Sequence, residues 1–480
     1  MKATPEGLET RLEVVKNAFV RLMMGFEGTF AEGETKALAF ANEVVRDWSR
    51  QELEKVAGRF DDEVVVAGQR YRRHVEGTCT YHTLCGPVRV ARHTYRLVGM
   101  HNGPTVVPLE IVAGIRENAT PALAYSATQG FAVGPLRAYE SEMVAAHRVV
   151  PARSTLERIA KRVGAAVHHD LATIEPVVRS AERLHRAAHS ISVGIDRTSV
   201  PMAEPTGLPP KRQRRHHRQP PDPVEVHYRM AYIGTLAVND SAGDVLTSVR
   251  FAATVAEGPA EMMERLAAEV RHLLDQRPRL PVVIIQDGAP ELRRLVDEWS
   301  EDFRIPIEMH LIDRYHVDER LAQTAELLEP NRVARWQMVD TWKRSMARSD
   351  LAISKLCRSF RALVRDLYDD DEDLFAAPIS RATVHGEAAR VIEGHLTYFG
   401  NNTSRFGYAT ARRKGYPVGS GVTEGACKSV IAARCKRSGQ RWQEPGLSPC
   451  LILRTLHLNG RLRASVDLLI ECRRNELLAS

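Results

Sequence analysis

The sequence has no long apolar run, no paired-cysteine motif and no segment resembling a secretion signal. Its longest plainly apolar stretch, 282–285, is far too short to span a bilayer, and residues 1–6 lack a signal peptide's apolar core. The seven cysteines are scattered and include no C-x-x-C pair, so neither a disulfide framework nor a zinc ribbon is supported. These absences favour a cytoplasmic protein with reduced, buried cysteines and no membrane partner.

Charge is spread unevenly along the chain. The 480 residues are 44% hydrophobic and 26% charged, as in ordinary globular proteins, and the formal net charge is only +7. The segment 405–463, however, holds twelve Lys and Arg against two acids, a net +10. One of those acids, Glu424, lies at the start of a predicted helix. A lone carboxylate in a basic segment indicates a residue that holds a divalent metal against a nucleic-acid backbone.

The first part of the chain is predicted to be helical, then β-rich, then helical again. Apolar residues recur at helical spacing through region 1–60. Alternating residues on both sides of Gly86 and Pro87 predict a β-hairpin, with strands at 78–84 and 88–95. This hairpin belongs to a small β-rich region, 61–118.

Region 119–188 has the outline of a helix-turn-helix. One helix is predicted from Pro135 to about residue 148, a break at 149–152, and a second helix after a capping box at 154–157. In DNA-binding helix-turn-helix proteins the first half of the second helix contacts bases. The residues there are Thr155, Arg158, Lys161 and Arg162. Helical hairpins are common, so plain packing is an equal alternative to DNA reading.

From residue 189 the pattern changes to strands with helices between them. Three strands, a helix, a strand, a helix and a final strand are predicted at 191–196, 225–238, 245–255, 259–274, 280–286, 290–299 and 307–312. This order predicts an α/β RNase H-like catalytic core, interrupted by an all-helical insertion and preceded by an α+β and helical DNA-binding region. The predicted divisions are 189–313 for the first part of the core, 314–400 for the insertion, 401–465 for the catalytic helix and basic part, and 466–480 for a C-terminal tail.

Two charged stretches fall between these elements. The loop 209–221 contains Lys211, Arg212, Arg214 and Arg215 between prolines, with no apolar residue inside. It is either a solvated insertion or a finger that contacts phosphates. The acidic run 369–373 is predicted to be a solvated turn rather than a metal site, because consecutive acids point in different directions.

Three carboxylates stand out by position. Asp196 is predicted to end the first core strand, Asp287 ends the fourth, and Glu424 begins the helix in the basic segment. In an RNase H-like sheet the first and fourth strands are neighbours, so their ends bring the two aspartates together. Clustered carboxylates repel one another unless cations neutralise them, and hard oxygen ligands suit Mg²⁺ or Mn²⁺. Two such ions can activate a hydroxyl and stabilise a leaving oxygen in phosphodiester chemistry.

At these positions the chain resembles a bacterial insertion-sequence transposase of the DDE class, in the ISKra-type group allied to Mutator-like elements. The resemblance rests on GIDRT at 194–198, QDGA at 286–289, DRYH at 313–316 and GSGVTEGACK at 419–428, with Arg434, Lys436, Gly439 and Trp442 following. The D-x-x-H element after the last core strand is specific to the Mutator-like branch. The spacing of 137 residues between Asp287 and Glu424 leaves room for that branch's helical insertion.

The resemblance implies a site and its partners. Asp196, Asp287 and Glu424 would be the catalytic triad and would hold two Mg²⁺ or Mn²⁺ ions, with Asp313 and His316 as an accessory pair. Double-stranded DNA, as element ends and as target, would be bound by a homo-oligomer associated with the nucleoid. The expected DNA contacts in the basic segment are Lys428, Arg434, Lys436, Arg437, Arg441 and Trp442. For Trp442, a place in the core is an equal alternative.

The expected activity is therefore binding of terminal inverted repeats, followed by metal-dependent strand cleavage and strand transfer. Two alternatives stay open: a non-catalytic, domesticated DNA-binding protein, and a nuclease that shares the RNase H fold. The three acids argue against a pure binder, which has no need of them. Strand joining separates a transposase from a nuclease.

Overall fold

The computed structural model describes residues 27–207, 223–369 and 379–478, together with positions 13, 16, 17, 19, 20 and 24. The basic loop 209–221, with Lys211, Arg212, Arg214 and Arg215, lies outside the described residues, and so does almost all of the acidic run 369–373. Within the described residues, no helix is both long and apolar enough to cross a membrane. The chain divides into two compact units, 1–174 with 462–480, and 175–461.

The first unit joins a four-stranded antiparallel sheet to a set of helices. Its elements up to the boundary are α1 (Phe30–Ala57), β1 (Glu63–Val66), β2 (Gln69–Thr83), β3 (Gly86–Leu97), β4 (Thr105–Val106), α2 (Pro108–Val112), α3 (Pro121–Val133), α4 (Leu136–Ala145), α5 (Arg153–His169) and α6 (Leu171–Ser180), which runs across the boundary. The sheet order is β1-β2-β3-β4. The predicted hairpin is confirmed as β2 and β3, which pair from Thr83 with Gly86 back to Tyr71 with Leu97.

The α4–α5 pair differs from the predicted helix-turn-helix in two ways. The capping box at 154–157 is wrong: α5 begins at Arg153 after Ala152, and no side chain caps it. The connection 146–152 is also longer than the three- or four-residue turn of such motifs. Hydrogen bonding explains its path, because Val149 N–H donates to Leu84 O (3.2 Å) and attaches the connection to the β2–β3 turn.

The second unit is built on a five-stranded mixed sheet. Its first elements are β5 (Ser190–Pro205), β6 (Val224–Asn239), β7 (Val245–Ala253), α7 (Ala260–Gln276), β8 (Val282–Gln286), α8 (Pro290–Asp302) and β9 (Ile307–Ile312). The order is β7-β6-β5-β8-β9, with β5, β6 and β7 antiparallel and β8 and β9 parallel to β5. The predicted adjacency of the first and fourth strands is therefore confirmed.

One predicted boundary in this sheet is wrong. Asp196 does not end β5, which continues to Pro205 because its second half pairs with residues 224–232 of β6. The two strands thus form a long hairpin arm that extends beyond the part of the sheet reached by β7. Asp196 lies in mid-strand, where its backbone is held by Ile233 on β6.

Helices make up the rest of the second unit. They are α9 (Arg314–Leu328), α10 (Arg332–Arg348), α11 (Ala352–Asp369), α12 (Ile379–Asn401), α13 (Tyr408–Arg413), α14 (Gly421–Ala426), a π-helical turn (Cys427–Ala432), α15 (Ala433–Cys435) and α16 (Glu444–Leu458). The predicted helical character of 314–400 is confirmed for its described part. The last helix, α17 (Leu462–Leu478), belongs to the first unit and includes most of the segment predicted only as a tail.

A network of six charges, five of them buried, joins α6 and α7 to Arg461, three residues after the end of α16. Arg265 donates three bonds to Glu175, and Arg179 donates to Glu269 (2.9 Å). Arg461, only 3% exposed, bonds to Glu269 and also to Glu182 (2.5 Å). Three arginines balance three glutamates, so each buried charge has partners. Removing one member would leave an opposite charge uncompensated in a medium of low dielectric constant.

We expect Arg461→Met to lower the free energy of unfolding by about 3–5 kcal/mol, because Glu269 would lose one of its two buried partners. Arg463→Met is the matched control, since Arg463 pairs with Asp467 at the surface. That control is expected to change stability by about 1 kcal/mol or less. Urea denaturation followed by circular dichroism measures both, and equal effects of the two changes would contradict the importance of the buried network.

Candidate active site

Asp196 on β5 and Asp287, directly after β8, lie at the same level along two adjacent strands. β5 pairs in parallel with β8, with Val193 opposite Ile284. Each aspartate follows its paired residue by three positions, so the two side chains come from neighbouring points of the sheet, where strands lie about 4.8 Å apart. Burial raises the pKa of Asp287, and the negative charge of Asp196 raises it further, while the hydrogen bond from Ala289 N–H (3.0 Å) opposes the rise.

Helix α14 lies directly on β5 because Gly194 has no side chain. A Cβ built on Gly194 would lie 2.0 Å from Thr423 Oγ1, closer than any normal contact. Thr423 Oγ1 instead shares a buried 2.7 Å hydrogen bond with Thr235 Oγ1 on β6. Small side chains thus bring the first turn of the helix against the sheet, two strand positions before Asp196.

Along β5, four residues of the helix cover nearly the same distance as two residues of the strand. Four residues of α-helix rise about 6 Å and two residues of strand about 6.6 Å. Thr423 therefore lies over Gly194 and Cys427 over Asp196, where Cys427 Sγ–H donates to Asp196 Oδ2 at 3.3 Å. Burial raises the pKa of the Cys427 thiol, with the charge of Asp196 adding to the rise, so this thiol stays a protonated donor.

Glu424 is next to this contact but is paired elsewhere. Its carboxylate accepts a 2.7 Å bond from Lys428 one helical turn later, and its side chain is 42% exposed. The negative charge of Glu424 also contributes to the raised pKa of Cys427, so Glu424 lies near the Cys427–Asp196 contact. In the described part of the chain, no three His, Cys, Asp or Glu side chains are already arranged to hold a metal ion.

Asp313 of the D-x-x-H element holds together three parts of the site. It is 2% exposed and caps α9 by accepting from Tyr315 N–H (2.9 Å). Its other carboxylate oxygen accepts from the Ser420 hydroxyl, and its own N–H donates to Gln286 O (2.8 Å). Asp313 therefore fixes the turn that precedes α14 to the ends of β8 and β9.

His316 is separate from Asp313. No hydrogen bond joins the two side chains among the described residues; His316 instead stacks edge-on against Tyr315 at 5.8 Å between ring centroids. Its Nδ1 lies 3.9 Å from a carboxylate oxygen of Glu319. The His316 charge lowers the pKa of Asp287, although less than burial and Asp196 raise it. His316 is thus a half-buried neighbour of the site rather than the partner of Asp313.

A buried polar cluster beside Asp287 was not predicted from the sequence. Arg405, 4% exposed, donates to Gln286 Oε1 (3.3 Å) and contacts His310 Nε2 (3.0 Å). Burial lowers the pKa of His310 to about 3, with the charge of Arg405 adding to the effect, so His310 is neutral. At Gly288, an added Cβ would lie 2.4 Å from the Tyr398 ring on α12. Glycine directly after Asp287 was the one sequence signal for this close packing.

Part of the basic segment runs along β5 beyond Asp196. Lys436 Nζ donates to Thr198 Oγ1 (2.8 Å) and to Ser199 Oγ (3.3 Å). The residues of this segment that were expected to contact DNA and that are exposed at the surface are Lys428, Lys436, Arg437 and Arg441. Among these four, contacts place Lys436 beside β5 and Lys428 against Glu424, one helical turn before it.

The structure does not support DNA contacts by Arg434 and Trp442. They are 3% and 8% exposed, and the Arg434 guanidinium lies 4.9 Å from the centroid of the Trp442 ring. The Trp442 backbone donates to Pro201 O (2.9 Å) and accepts from Ala203 N–H (2.7 Å), extending the sheet at the arm of β5. These two residues attach the basic segment to the sheet. This corrects the expectation that Arg434 faces DNA, and for Trp442 it agrees with the alternative of a place in the core.

The four candidate DNA-reading residues on α5 differ in their surroundings. Arg158 and Arg162 are exposed, whereas Thr155 and Lys161 are half-buried. Arg158 is paired with Glu117, and Lys161 with Glu157 at 2.6 Å. Two of the four would have to leave an acidic partner to contact DNA.

A search against protein-family models gave no match, and a search of curated protein sequences gave no significant match. The fold and the site define a mixed α/β protein with one aspartate on a strand and a second directly after the adjacent parallel strand. Its function is inferred from that geometry.

Proposed function

We propose that the chain is a DDE-class DNA transposase, which binds the ends of its insertion sequence and carries out metal-dependent strand cleavage and strand transfer. One observation carries the proposal: Asp196 and Asp287 lie at the same level, one on a strand and the other directly after the adjacent parallel strand, next to the helix that bears Glu424. The sheet order, with three antiparallel strands followed by two parallel ones, supports an RNase H-like core for the second unit. Such an enzyme acts on DNA in the cytoplasm, at the nucleoid.

The donor set fits a hard divalent cation. Asp196 and Asp287 offer carboxylate oxygens. Burial raises the pKa of Asp287 most and the charge of Asp196 raises it further, and a bound cation would offset both effects. Two Mg²⁺ or Mn²⁺ ions held there would activate a water or 3′-hydroxyl and stabilise the leaving oxygen. Glu424 is the third proposed ligand, and its side chain would leave Lys428 to join the aspartates. Lys428 would then be free to contact a phosphate.

The other residues have supporting tasks in this proposal. Asp313 positions the turn before Glu424 through Ser420, and Cys427 orients Asp196. Lys436, Arg437 and Arg441 offer positive charge to a DNA backbone along β5. End recognition is assigned to the first unit, with Arg158 and Arg162 as its exposed basic residues on α5.

The experiment that tests the proposal is a cleavage and joining assay. Purified protein is incubated, with and without Mg²⁺, with duplexes that carry the ends of the DNA flanking its gene and with a supercoiled target. A transposase gives metal-dependent nicks at those ends and joined products. Nicks without joining would indicate a nuclease of the same fold, and binding without nicks would indicate a non-catalytic DNA-binding protein.

Cys427 gives a finer test of the site. We expect Cys427→Ala to lower metal-dependent cleavage about tenfold, because Asp196 would lose a hydrogen bond to a charged group, worth about 1.5–3 kcal/mol. Cys427→Ser is the matched control, since a hydroxyl can still donate to Asp196. Cleavage rates measured over a range of Mn²⁺ concentrations should show a weaker metal requirement for the serine variant than for the alanine variant. Equal rates for both would show that the hydrogen bond has no role.

A further inference from the structure

We propose that Arg405 is a positioning residue for Asp287, which it holds in place through the two residues on either side of that aspartate. Arg405 ends a 3₁₀ turn (Thr403–Arg405) that follows α12, and its guanidinium joins Gln286 and the surface under Gly288 into one buried cluster. It acts through these neighbours and not on the reacting atoms. The inference rests on the proposed function, because it assigns a task to Arg405 in holding a metal ligand.

Gln286 fixes the chain directly before Asp287. It ends β8, is 1% exposed, and its main-chain oxygen accepts from Asp313 N–H (2.8 Å). Its side-chain oxygen accepts from Arg405 Nη1 (3.3 Å) and lies 2.7 Å from His310 Nε2. The end of the strand is therefore held by its main chain and by its side chain.

Gly288 fixes the chain directly after Asp287. A Cβ there would lie 2.4 Å from the Tyr398 ring and 2.8 Å from Asn402 Nδ2, so the backbone lies directly on these two side chains. Asn402 Nδ2 donates to Tyr398 O (2.9 Å), and Asn402 Oδ1 accepts from Arg405 Nη2. The second Nη atom of Arg405 therefore fixes part of the surface on which Gly288 lies.

The chemistry of Arg405 favours positioning over simple packing. It is 4% exposed, and burial lowers the pKa of its guanidinium. In the described part of the chain, no carboxylate forms an ion pair with it. The side chains that it contacts are the uncharged Gln286, Asn402 and His310, and burial lowers the pKa of His310 to about 3.

A buried charge without a counter-charge lowers stability, so an apolar side chain would be the better choice for filling this space. Arginine instead supplies a rigid planar fork, in which two Nη atoms bond to two acceptors at a fixed separation. In this cluster the two acceptors belong to Gln286, which is next to Asp287 in the chain, and to Asn402, on which Gly288 lies. The fork therefore fixes both sides of the aspartate at once.

Amide hydrogen exchange of the full-length protein, without DNA or metal, tests the positioning directly. Ala289 N–H donates to Asp287 Oδ1 (3.0 Å), so its exchange rate reports whether the carboxylate is in place. We expect Arg405→Met and Arg405→Lys to raise that rate about tenfold, the effect of one weakened hydrogen bond. Arg348→Met and Arg348→Lys are the matched controls and should leave it unchanged, because Arg348 is exposed at the end of α10.

Metal binding provides the second measurement. Both Arg405 variants should bind Mn²⁺ about tenfold more weakly than wild type, as expected when the residue that orients a metal ligand is lost. The electron paramagnetic resonance signal of free Mn²⁺ measures this affinity without DNA. In the cleavage assay, the rate of both variants should approach that of wild type at saturating Mn²⁺. A purely structural role would lower the rate at every metal concentration.

Gln286→Met is a second variant, should Arg405→Met fail to fold, because it removes the acceptor and keeps the arginine. Circular dichroism checks the folding of each variant. If Arg405 acts through Gln286, the double variant should exchange no faster at Ala289 than Arg405→Met alone.

Three outcomes would overturn the proposal. They are unchanged exchange of Ala289 in Arg405→Met, full recovery by Arg405→Lys, which would show that charge and not the planar fork matters, and additive effects of the Arg405 and Gln286 changes. The exchange measurement uses neither DNA nor metal, so its failure is distinct from failure of the transposase proposal, which the cleavage and joining assay decides.

Discussion

Replacing Asp287 by asparagine is expected to reduce metal-dependent strand cleavage by about 10³-fold while leaving DNA binding within about twofold of wild type. Asp287 is immediately after β8 and its carboxylate faces Asp196 across adjacent strands. The amide has nearly the same shape, and its oxygen can still accept the bond from Ala289 N–H. The amide lacks the negative charge that a cation requires. The substitution should therefore lower the rate of the chemical step and leave folding intact.

The measurement is a single-turnover cleavage assay with a parallel gel-shift titration. Asp302→Asn is the matched control, because Asp302 ends α8 and is exposed to solvent. It should cleave as wild type does. If Asp287→Asn cleaved at the wild-type rate, the assignment of the site would be wrong. If it lost DNA binding and cleavage together, the aspartate would have a structural role instead.

Gly194→Ala is expected to impair cleavage strongly, although it adds only one methyl group to the second unit. The new Cβ would lie 2.0 Å from Thr423 Oγ1, so α14 would have to move away from β5. That movement would carry Glu424 and Cys427 away from Asp196. We expect cleavage to fall about 10²-fold, since a displacement of about 1 Å in a catalytic site has effects of this size.

A second change provides the control for this displacement. Thr423→Ala removes the atom that Gly194→Ala would strike, so the double variant should recover most of the cleavage lost by Gly194→Ala alone. Thr423→Ala by itself removes one buried hydrogen bond, to Thr235, and should lower stability by about 1–2 kcal/mol. A double variant no better than Gly194→Ala would show that the close contact does not position α14.

The regular elements of the second unit were predictable because their patterns are local. β9 has the predicted bounds, and β8 and α8 begin or end within a few residues of the predicted ones. The apolar run of β8 and the proline at the start of α8 need no tertiary information. The extension of β5 past Asp196 was missed because Arg197, Thr198 and Ser199 look like the end of a strand. Their strand conformation comes from pairing with β6, about 30 residues later in the chain.

The candidate site could be predicted in its positions but not in its contacts. The sequence indicated Asp196, Asp287 and Glu424, and strand adjacency placed the first two side by side. It could not show that Asp313 bonds to Ser420, because those residues are 107 positions apart and neither has a local pattern that requires the other. Arg434 was expected at the surface, and Trp442 either there or in the core, because composition records charge and aromaticity but not burial.

The most direct test of the central claim is to map where a metal binds. Fe²⁺ in place of Mg²⁺, with ascorbate and peroxide, generates hydroxyl radicals that cut the polypeptide next to the bound ion, and mass spectrometry locates the cuts. We predict cuts near Asp196, Asp287 and Glu424, suppressed by excess Mg²⁺ and absent in Asp287→Asn. Cuts elsewhere, or a pattern unchanged by Mg²⁺ and by the substitution, would contradict a shared metal site at these three residues.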